Sequence, residues 1–256
     1  MVHRRTLRRL RPLALAALAV LLLPGGRVRA AGLVVNPILV RLTADERNAV
    51  VSVTNDEPEP VRFKVSVLAW QESSSGEMQL APAEDVVWFP QLFTLAPKES
   101  RNLRVGTTQP PGARERSYRL FVEQLPPAEK PGGPSAVRVL SRVGIPVFVE
   151  PAQAAARPEI DGVEVRAGRA SFVLRNRGNA HFRPTSLKLQ ARGAAGEVLH
   201  VQDFNGWYVL ADGERRYDAA LPAGICAQVR SVRVEAVLGD KPVSAEAAAP
   251  HGGCAP

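Results

Sequence analysis

The sequence predicts an all-β protein built as two antiparallel β-sandwiches. Short segments in which apolar and polar residues alternate follow one another from residue 33 to residue 237. Clusters of Pro, Gly, Asn and Asp separate these segments at the spacing of sandwich strands. No segment keeps a helical period over three turns, and 256 residues suffice for two domains of ordinary size.

The first 30 residues have the features of a cleaved signal peptide. An arginine-rich head precedes an uninterrupted apolar run of eleven residues, Leu13 to Leu23, and Val28-Arg29-Ala30 offers a cleavage site. A membrane-spanning helix needs roughly 20 apolar residues, so we expect export without stable membrane insertion. Arg4-Arg5-Thr6-Leu7 loosely resembles a twin-arginine signal, but no cofactor motif follows that would require folded export.

Most of the net positive charge of the chain comes from that leader. Residues 1–30 hold seven of the 33 basic residues and none of the 25 acidic ones, so the net charge falls from +8 to +1 without them. No later run of Lys or Arg forms a phosphate-binding patch, and we expect no nucleic-acid partner.

The two cysteines, Cys226 and Cys254, both follow in the C-terminal part. In an oxidising compartment a disulfide between them is the first interpretation. The alternative is a metal site that adds His251, but two cysteines and one histidine make a poor zinc set, so no metal is expected.

Strands are predicted in order along the chain. Val61–Val67 alternates with period two, as expected for a strand with one buried face. Tyr118–Leu125 ends at Pro126-Pro127, a flexible loop covers residues 128–135, and Ala136–Glu150 is expected as one long strand. Pro151–Pro158 is expected as the hinge between domains. The other predicted strands are Leu33–Val35, Ile38–Leu42, Ala49–Val53, the segments around Phe93 and Leu103, Val163–Val165, Ser171–Leu174, Leu187–Leu189, Trp207–Leu210 and Val229–Val237.

Catalytic motifs are missing from the sequence. It contains no nucleophile elbow, His-Glu-x-x-His, Walker loop or Gly-x-Gly-x-x-Gly. The acidic residues are scattered singly on predicted strand edges and turns. We therefore expect neither an enzyme nor a bound cofactor.

The segment from Tyr118 to Pro127, with Arg114-Glu115-Arg116 before it, resembles the signature strand of periplasmic PapD-like chaperones of chaperone–usher systems. Arg119 and Phe121 depart from the family's usual aromatic and Asn. Similar segments follow in the same order as in the family. They are Val53–Asp56, Trp70, Phe93–Pro97, Leu103–Val105, Ile145–Pro151 and, as in the archaic-type branch, Asn176–His181 and Tyr208–Gly213.

This resemblance implies two immunoglobulin-like sandwiches in a boomerang arrangement. The chaperone domain with its donor strand would cover residues 31–151, and a second β-sandwich would cover residues 152–256, after a signal peptide at 1–30. Such periplasmic chaperones complete pilin-like subunits that lack a strand, use no ATP, and deliver the subunits to an outer-membrane usher. A secreted structural or adhesive sandwich protein is the alternative. Subunit identity, self-capping as a homodimer and the role of the tail from Pro250 stay open.

The donor strand should be long, alternating and open on one side. Residues 137–145 have this form, and their odd-numbered side chains share one face. The expected subunit-binding residues are Val137, Val139, Ser141, Val143 and Ile145.

Two departures from the family concern charge. Members often anchor the subunit's C-terminal carboxylate with an Arg and a Lys, but Leu39 and Pro146 occupy those positions here. Arg41 and Arg142 are the nearest replacements. Glu115 matches the acid of the family's inter-domain ion network, whereas Glu150 stands where Arg is usual, so that network should be absent or rebuilt.

Overall fold

The computed structural model describes residues 32–73, 75–127 and 139–249, which form seventeen strands and one helical turn. The first ten strands are β1 (Leu33–Asn36), β2 (Val40–Leu42), β3 (Asn48–Asn55), β4 (Val61–Glu72), β5 (Met78–Pro82), β6 (Val86–Phe89), β7 (Leu92–Leu95), β8 (Ser100–Thr107), β9 (Arg116–Gln124) and β10 (Arg142–Val149). The remaining elements are β11 (Pro158–Arg166), β12 (Arg169–Asn176), β13 (Ser186–Arg192), β14 (Val198–Asp203), β15 (Glu214–Ala220), α1 (Ala223–Cys226), β16 (Ser231–Leu238) and β17 (Lys241–Ala248).

The first sandwich consists of β1–β10 in two sheets. One sheet has the order β1-β3-β8-β6, and the other has the order β2-β10-β9-β4-β5 with β7 also paired to β4. The alternation predicted for β4 is present: Val61, Phe63 and Val65 are buried, whereas the residues between them are exposed. These side chains join those of the facing sheet in one apolar core.

Strand β10 has two different halves. It pairs with β9 in antiparallel fashion along its whole length, but it pairs with β2, in parallel, only over Val147–Val149. Among the described residues, the segment Arg142–Pro146 therefore has a strand neighbour on one edge only.

The second sandwich consists of β11–β17. Its sheets have the orders β11-β12-β15 and β14-β13-β16-β17. Phe172, Leu174 and Leu189 are fully buried in its core, and Cys226 of α1 packs into the same cluster. The predicted all-β class with two sandwiches is confirmed, and the predicted boundary at residue 151 lies in the segment that connects β10 to β11.

Two predicted strands differ from the structure. The long strand expected over residues 136–150 begins only at Arg142, and residues 136–138 lie outside the described part of the chain. Trp207–Leu210 is not a strand, and within the described ranges its only ladder contact is an isolated bridge between Phe182 and Val209. There the Asn176 side-chain amide donates to the carbonyls of Val209 and Leu210 at 3.2 and 3.0 Å, so a side chain satisfies backbone groups that a strand would otherwise pair.

A third apolar cluster joins the two sandwiches. Trp70 and Phe148 come from the first sandwich, Tyr208 and Leu210 come from the second, and Leu39 packs against them. Full burial of side chains of this size contributes about 1.5–3 kcal/mol each, so this cluster is a substantial source of contact between the sandwiches.

Candidate functional site

The predicted donor segment runs into the open edge of β10. Val139 is 89% exposed and Leu140 is 42% exposed. Ser141 is held beside the end of β9, since the Gln124 backbone N–H donates to its carbonyl at 2.9 Å and its own N–H donates to Gln124 Oε1 at 3.3 Å. Apolar side chains therefore stand exposed next to a strand edge that has no neighbour among the described residues.

The odd-numbered side chains of this segment become progressively more buried from Val139 to Ile145. Val143 is half-buried at the margin of the first core, and Ile145 is 1% exposed within it. Ile145, predicted as part of the donor face, lies in the protein's own core, so the part of this row that is not buried ends at Val143. Val137 lies outside the described residues.

Arg41 and Arg142 do not form one anchor. Arg41 Nε lies 3.2 Å from Glu150 Oε1, and Arg142 Nε lies 3.7 Å from Glu123 Oε2. Arg41 pairs across strands with Phe148, six residues from Arg142 along β10. At roughly 3.3 Å per residue the two positions are about 20 Å apart, too far to share a carboxylate.

The inter-domain ion network is rebuilt around Glu115. Its carboxylate is fully buried and accepts hydrogen bonds from the backbone N–H and the Nδ1 of His181, at 3.1 and 2.8 Å. The ring of His181 stacks on Phe148 with centroids 3.6 Å apart. The Glu115 N–H donates to Asn179 O at 2.9 Å, and Arg114 pairs with Asp212. Glu115 therefore has the network role expected for it, with His181 as a partner that sequence reasoning missed.

A second buried carboxylate, Glu72, also joins the sandwiches. Its Oε2 accepts the Leu210 N–H at 3.0 Å, and its Oε1 lies 3.4 Å from Arg215 Nη2. Burial raises the pKa of Glu72 above its usual value, and the hydrogen bond from Leu210 and the charge of Arg215 act in the opposite direction.

Arg119 is a buried cation that the sequence pattern did not single out. It lies on β9 opposite Pro146 of β10 and is 5% exposed. Its Cζ lies 3.9 Å from the ring centroid of Trp70 and 5.4 Å from that of Trp207. Burial lowers its pKa. The available signal was its departure from the aromatic residue that the resembled family carries at this position.

Tyr118, next to Arg119, points to the opposite side of β9. Its hydroxyl donates to the carboxylate of Asp85 at 2.7 Å, and Arg116 Nε lies 2.8 Å from the same carboxylate. Burial, with the Asp85 hydrogen bond second, raises the pKa of Tyr118 to about 12. This cluster fixes β9 against the turn before β6.

Only one of the two cysteines predicted to form a disulfide lies within the described residues. Cys226 is buried in the second core, whereas Cys254 and His251 lie beyond residue 249. Over the described ranges, no group of three or more His, Cys, Asp or Glu residues is arranged to hold a metal ion. In the same ranges, no helix has the length and apolarity needed to cross a bilayer.

The family model of the PapD N-terminal domain, described as a pili and flagellar-assembly chaperone, matches residues 32–155. The first sandwich of the chain is therefore similar to the PapD N-terminal domain. The matched region contains all of the first sandwich, including β9 and β10, which carry the candidate site. No curated protein sequence matches the chain.

Solved structures share the fold of this chain at low sequence identity. One is the CsuC–CsuE chaperone–tip adhesion subunit pre-assembly complex from archaic chaperone–usher Csu pili of Acinetobacter baumannii, with 17% identity and a TM-score of 0.57 over 84% of this chain and 98% of that chain. Another is the E. coli chaperone DraB, with 21% identity and a TM-score of 0.53 over 84% and 96%. A third is the SafA pilin–SafB chaperone complex of Salmonella enterica, with 16% identity and a TM-score of 0.52 over 84% and 96%.

Proposed function

We propose that this protein is a periplasmic, ATP-independent chaperone that completes pilus subunits by lending them the segment before β10 and the open edge of β10. The proposal rests on the position of exposed apolar residues directly before the open edge of this strand. A one-sided edge at Arg142–Pro146 continues directly into the exposed apolar residues Val139 and Leu140.

The physical basis is strand addition. A subunit that lacks a strand exposes an apolar groove and unpaired backbone groups, which together promote aggregation. A lent strand pairs those backbone groups, and alternate side chains fill the groove. Val139, Ser141 and Val143 lie on the same face as the core residue Ile145 and would insert into the subunit's groove. Val137 would continue this row. Each valine that becomes fully buried would contribute about 1.5–3 kcal/mol.

The compartment and the onward delivery belong to the same proposal. The predicted signal peptide at residues 1–30 supports export, and two of the structurally similar proteins are themselves chaperones in complex with a subunit or pilin. We expect the loaded complex to dock on an outer-membrane usher. The two complete sandwiches argue against the adhesive-subunit alternative, because an incomplete subunit would be a single sandwich.

The test is Val139→Asp in the full chain, co-expressed with the pilin-like protein from its own locus. A carboxylate in an apolar groove is costly, so we expect subunit recovery from the periplasm to fall at least about tenfold. Because Val139 is 89% exposed, the melting temperature of the free chaperone should be unchanged.

The matched control is Val198→Asp. This valine is 49% exposed at the start of β14 in the second sandwich, so recovery should stay at the wild-type level. Undiminished recovery with Val139→Asp would exclude this segment as the donor. The open edge could instead pair with a second copy of the chain. Size-exclusion chromatography of the free protein over a range of concentrations would detect such a dimer.

The cysteine pair is also proposed as a stabilising disulfide of the second sandwich. A bridge between Cys226 and Cys254 would close a loop of 28 residues and contribute about 3 kcal/mol in the chain-entropy model. Peptide mapping of the periplasmic protein without reduction should yield the two cysteine peptides as one linked species, and recovery of both as free thiols would contradict the bridge.

A further inference from the structure

The open edge of β10 presents the backbone groups of its even-numbered residues. The Gln124 N–H donates to Ser141 O, so the residues that follow Ser141 at intervals of two direct their backbone groups to β9. The backbone groups of Arg142 and Gly144 therefore point away from β9, where no described strand pairs with them. Pro146, the next residue of this series, has no N–H. In the open half of β10, the donors left for a partner strand are thus the N–H groups of Arg142 and Gly144.

Gly144 is the flexible point of this edge. A glycine in a strand loses more backbone entropy on ordering than any other residue, and it has no side chain to pack. It lies in the middle of Arg142–Pro146, the segment that has a strand neighbour on one side only. Nothing in the residue itself holds the backbone extended at the place where a partner strand has to pair.

The ring of Phe121 occupies the place of the missing side chain. Phe121 is directly opposite Gly144 on β9, and a Cβ atom on Gly144 would lie 2.9 Å from its Cε1 and 3.3 Å from its Cδ1. The Cζ of Arg142 lies 4.0 Å from the centroid of the same ring. One half-buried side chain therefore contacts both residues whose N–H groups face the partner.

We propose that Phe121 positions the open edge of β10 for pairing, by holding Gly144 and Arg142 extended before a subunit strand arrives. The inference rests on the proposed function and deepens it, because it names the residue that keeps the lent edge ready. An aromatic residue across from a glycine covers the bare backbone and restricts its freedom. A preformed edge increases the fraction of the chaperone that is competent to pair, and the apparent affinity rises with that fraction. Phe121 replaces the Asn that is usual in the resembled family, so the arrangement is a feature of this chain.

The first experiment needs no subunit. Hydrogen exchange of the Val143 N–H, which is directed to β9, reports how often this part of the edge opens. Phe121→Ala should speed this exchange about two- to fivefold, the factor that corresponds to the backbone freedom of one glycine in a strand. Leu92→Ala is the matched control, because it removes an exposed apolar side chain from β7 of the same sheet and should leave the exchange rate unchanged.

A double variant separates positioning from a simple loss of packing. In the wild type, the Cβ of Gly144→Ala displaces the ring of Phe121, so exchange at Val143 should become faster. In Phe121→Ala that space is empty, and adding Gly144→Ala should slow the exchange again, towards the wild-type rate. Opposite effects in the two backgrounds would support the proposal. The same effect in both, or no effect of Phe121→Ala alone, would overturn it.

The second experiment measures capture. The urea-unfolded pilin-like protein from the same locus is diluted into a series of concentrations of the full chain, and the soluble complex is quantified. Half-maximal capture should need about two- to fivefold more Phe121→Ala than wild type, and the added Gly144→Ala should restore it. Phe121→Tyr keeps the ring and should match the wild type.

The capture experiment distinguishes the failure of this inference from that of strand lending. Wild-type capture by Phe121→Ala, with capture abolished by Val139→Asp, would overturn the positioning role and leave strand lending in place. Wild-type capture by Val139→Asp would overturn strand lending, and the positioning role would fail with it.

Discussion

Two buried charges lie four residues apart around the start of β9, and their surroundings are opposite. Glu115 is fully buried and accepts two hydrogen bonds from His181, one from the backbone and one from the ring. Arg119 is almost as deeply buried, but two of its three nitrogens have no acceptor in the described structure. The hydrogen bonds of the first charge are complete and connect the two sandwiches, whereas those of the second are incomplete.

This difference predicts opposite effects of the two charges on the stability of the protein. A buried charge whose hydrogen bonds are complete stabilises the arrangement it belongs to, and its removal leaves buried donors unpaired. A buried charge with incomplete hydrogen bonds costs stability in the free protein. The sign of the stability change on substitution therefore distinguishes the two.

The largest expected effect is at Glu115. Glu115→Ala leaves both His181 donors buried and unpaired, so it should lower the free energy of unfolding by about 3 kcal/mol. The measurement is urea unfolding of the full chain. Glu84→Ala removes an exposed carboxylate and should change it by less than about 0.5 kcal/mol. Equal effects for the two variants would show that the Glu115 network contributes nothing to stability.

A smaller effect is expected from the satisfied cluster at Tyr118. Its pKa of about 12 in the folded protein lies above the usual value of 10, so the stability it contributes is fully present below pH 10 and is lost as pH rises toward 12. The difference between these two pKa values corresponds to a loss of about 2–3 kcal/mol. Urea unfolding at stepped pH should show this loss in the wild type and a flatter profile in Tyr118→Phe. Parallel profiles would mean that the hydroxyl does not titrate in this range.

The smallest change, and the one of opposite sign, is expected at Arg119. Arg119→Met keeps an unbranched chain against Trp70 and removes an unpaired charge, so stability should be unchanged or rise by up to about 1 kcal/mol. Thermal unfolding compares it with Arg104→Met, an exposed change that should be neutral. A loss of about 2 kcal/mol or more in Arg119→Met would place Arg119 with Glu115, as a structural group.

Local pattern predicted most of the strands because burial on one face of a sheet leaves a period-two trace. In β4 the alternation expected from Val61 to Val67 is confirmed, and the strand extends to Glu72. The segment Trp207–Leu210 shows where this inference fails. Tyr208 and Leu210 are buried between the sandwiches, Val209 packs into the core of the second sandwich, and Trp207 is exposed, so a strand-like composition here reflects a different kind of contact.

The proposed donor segment was predictable in part. The open character of the segment around Val139 follows from alternation and agrees with the structure, but the point at which the row enters the core does not follow from sequence, because Val143 and Ile145 are the same kind of residue in the same pattern. Packing of Ile145 into the first core sets that point, and that core is assembled from strands that lie far away in the chain.

The sequence by itself determined the all-β class, the sandwich strands with alternating residues and the leader that accounts for the basic charge, because each of these depends on neighbours in the chain. Only the tertiary structure decided which half of β10 is open, that Arg41 and Arg142 are too far apart to act together, and that Arg119 is buried with its Nε and Nη2 lacking acceptors among the described residues. These properties depend on which distant strands become neighbours, and an arginine on an alternating strand has the same local sequence signature whether water or another sandwich covers it.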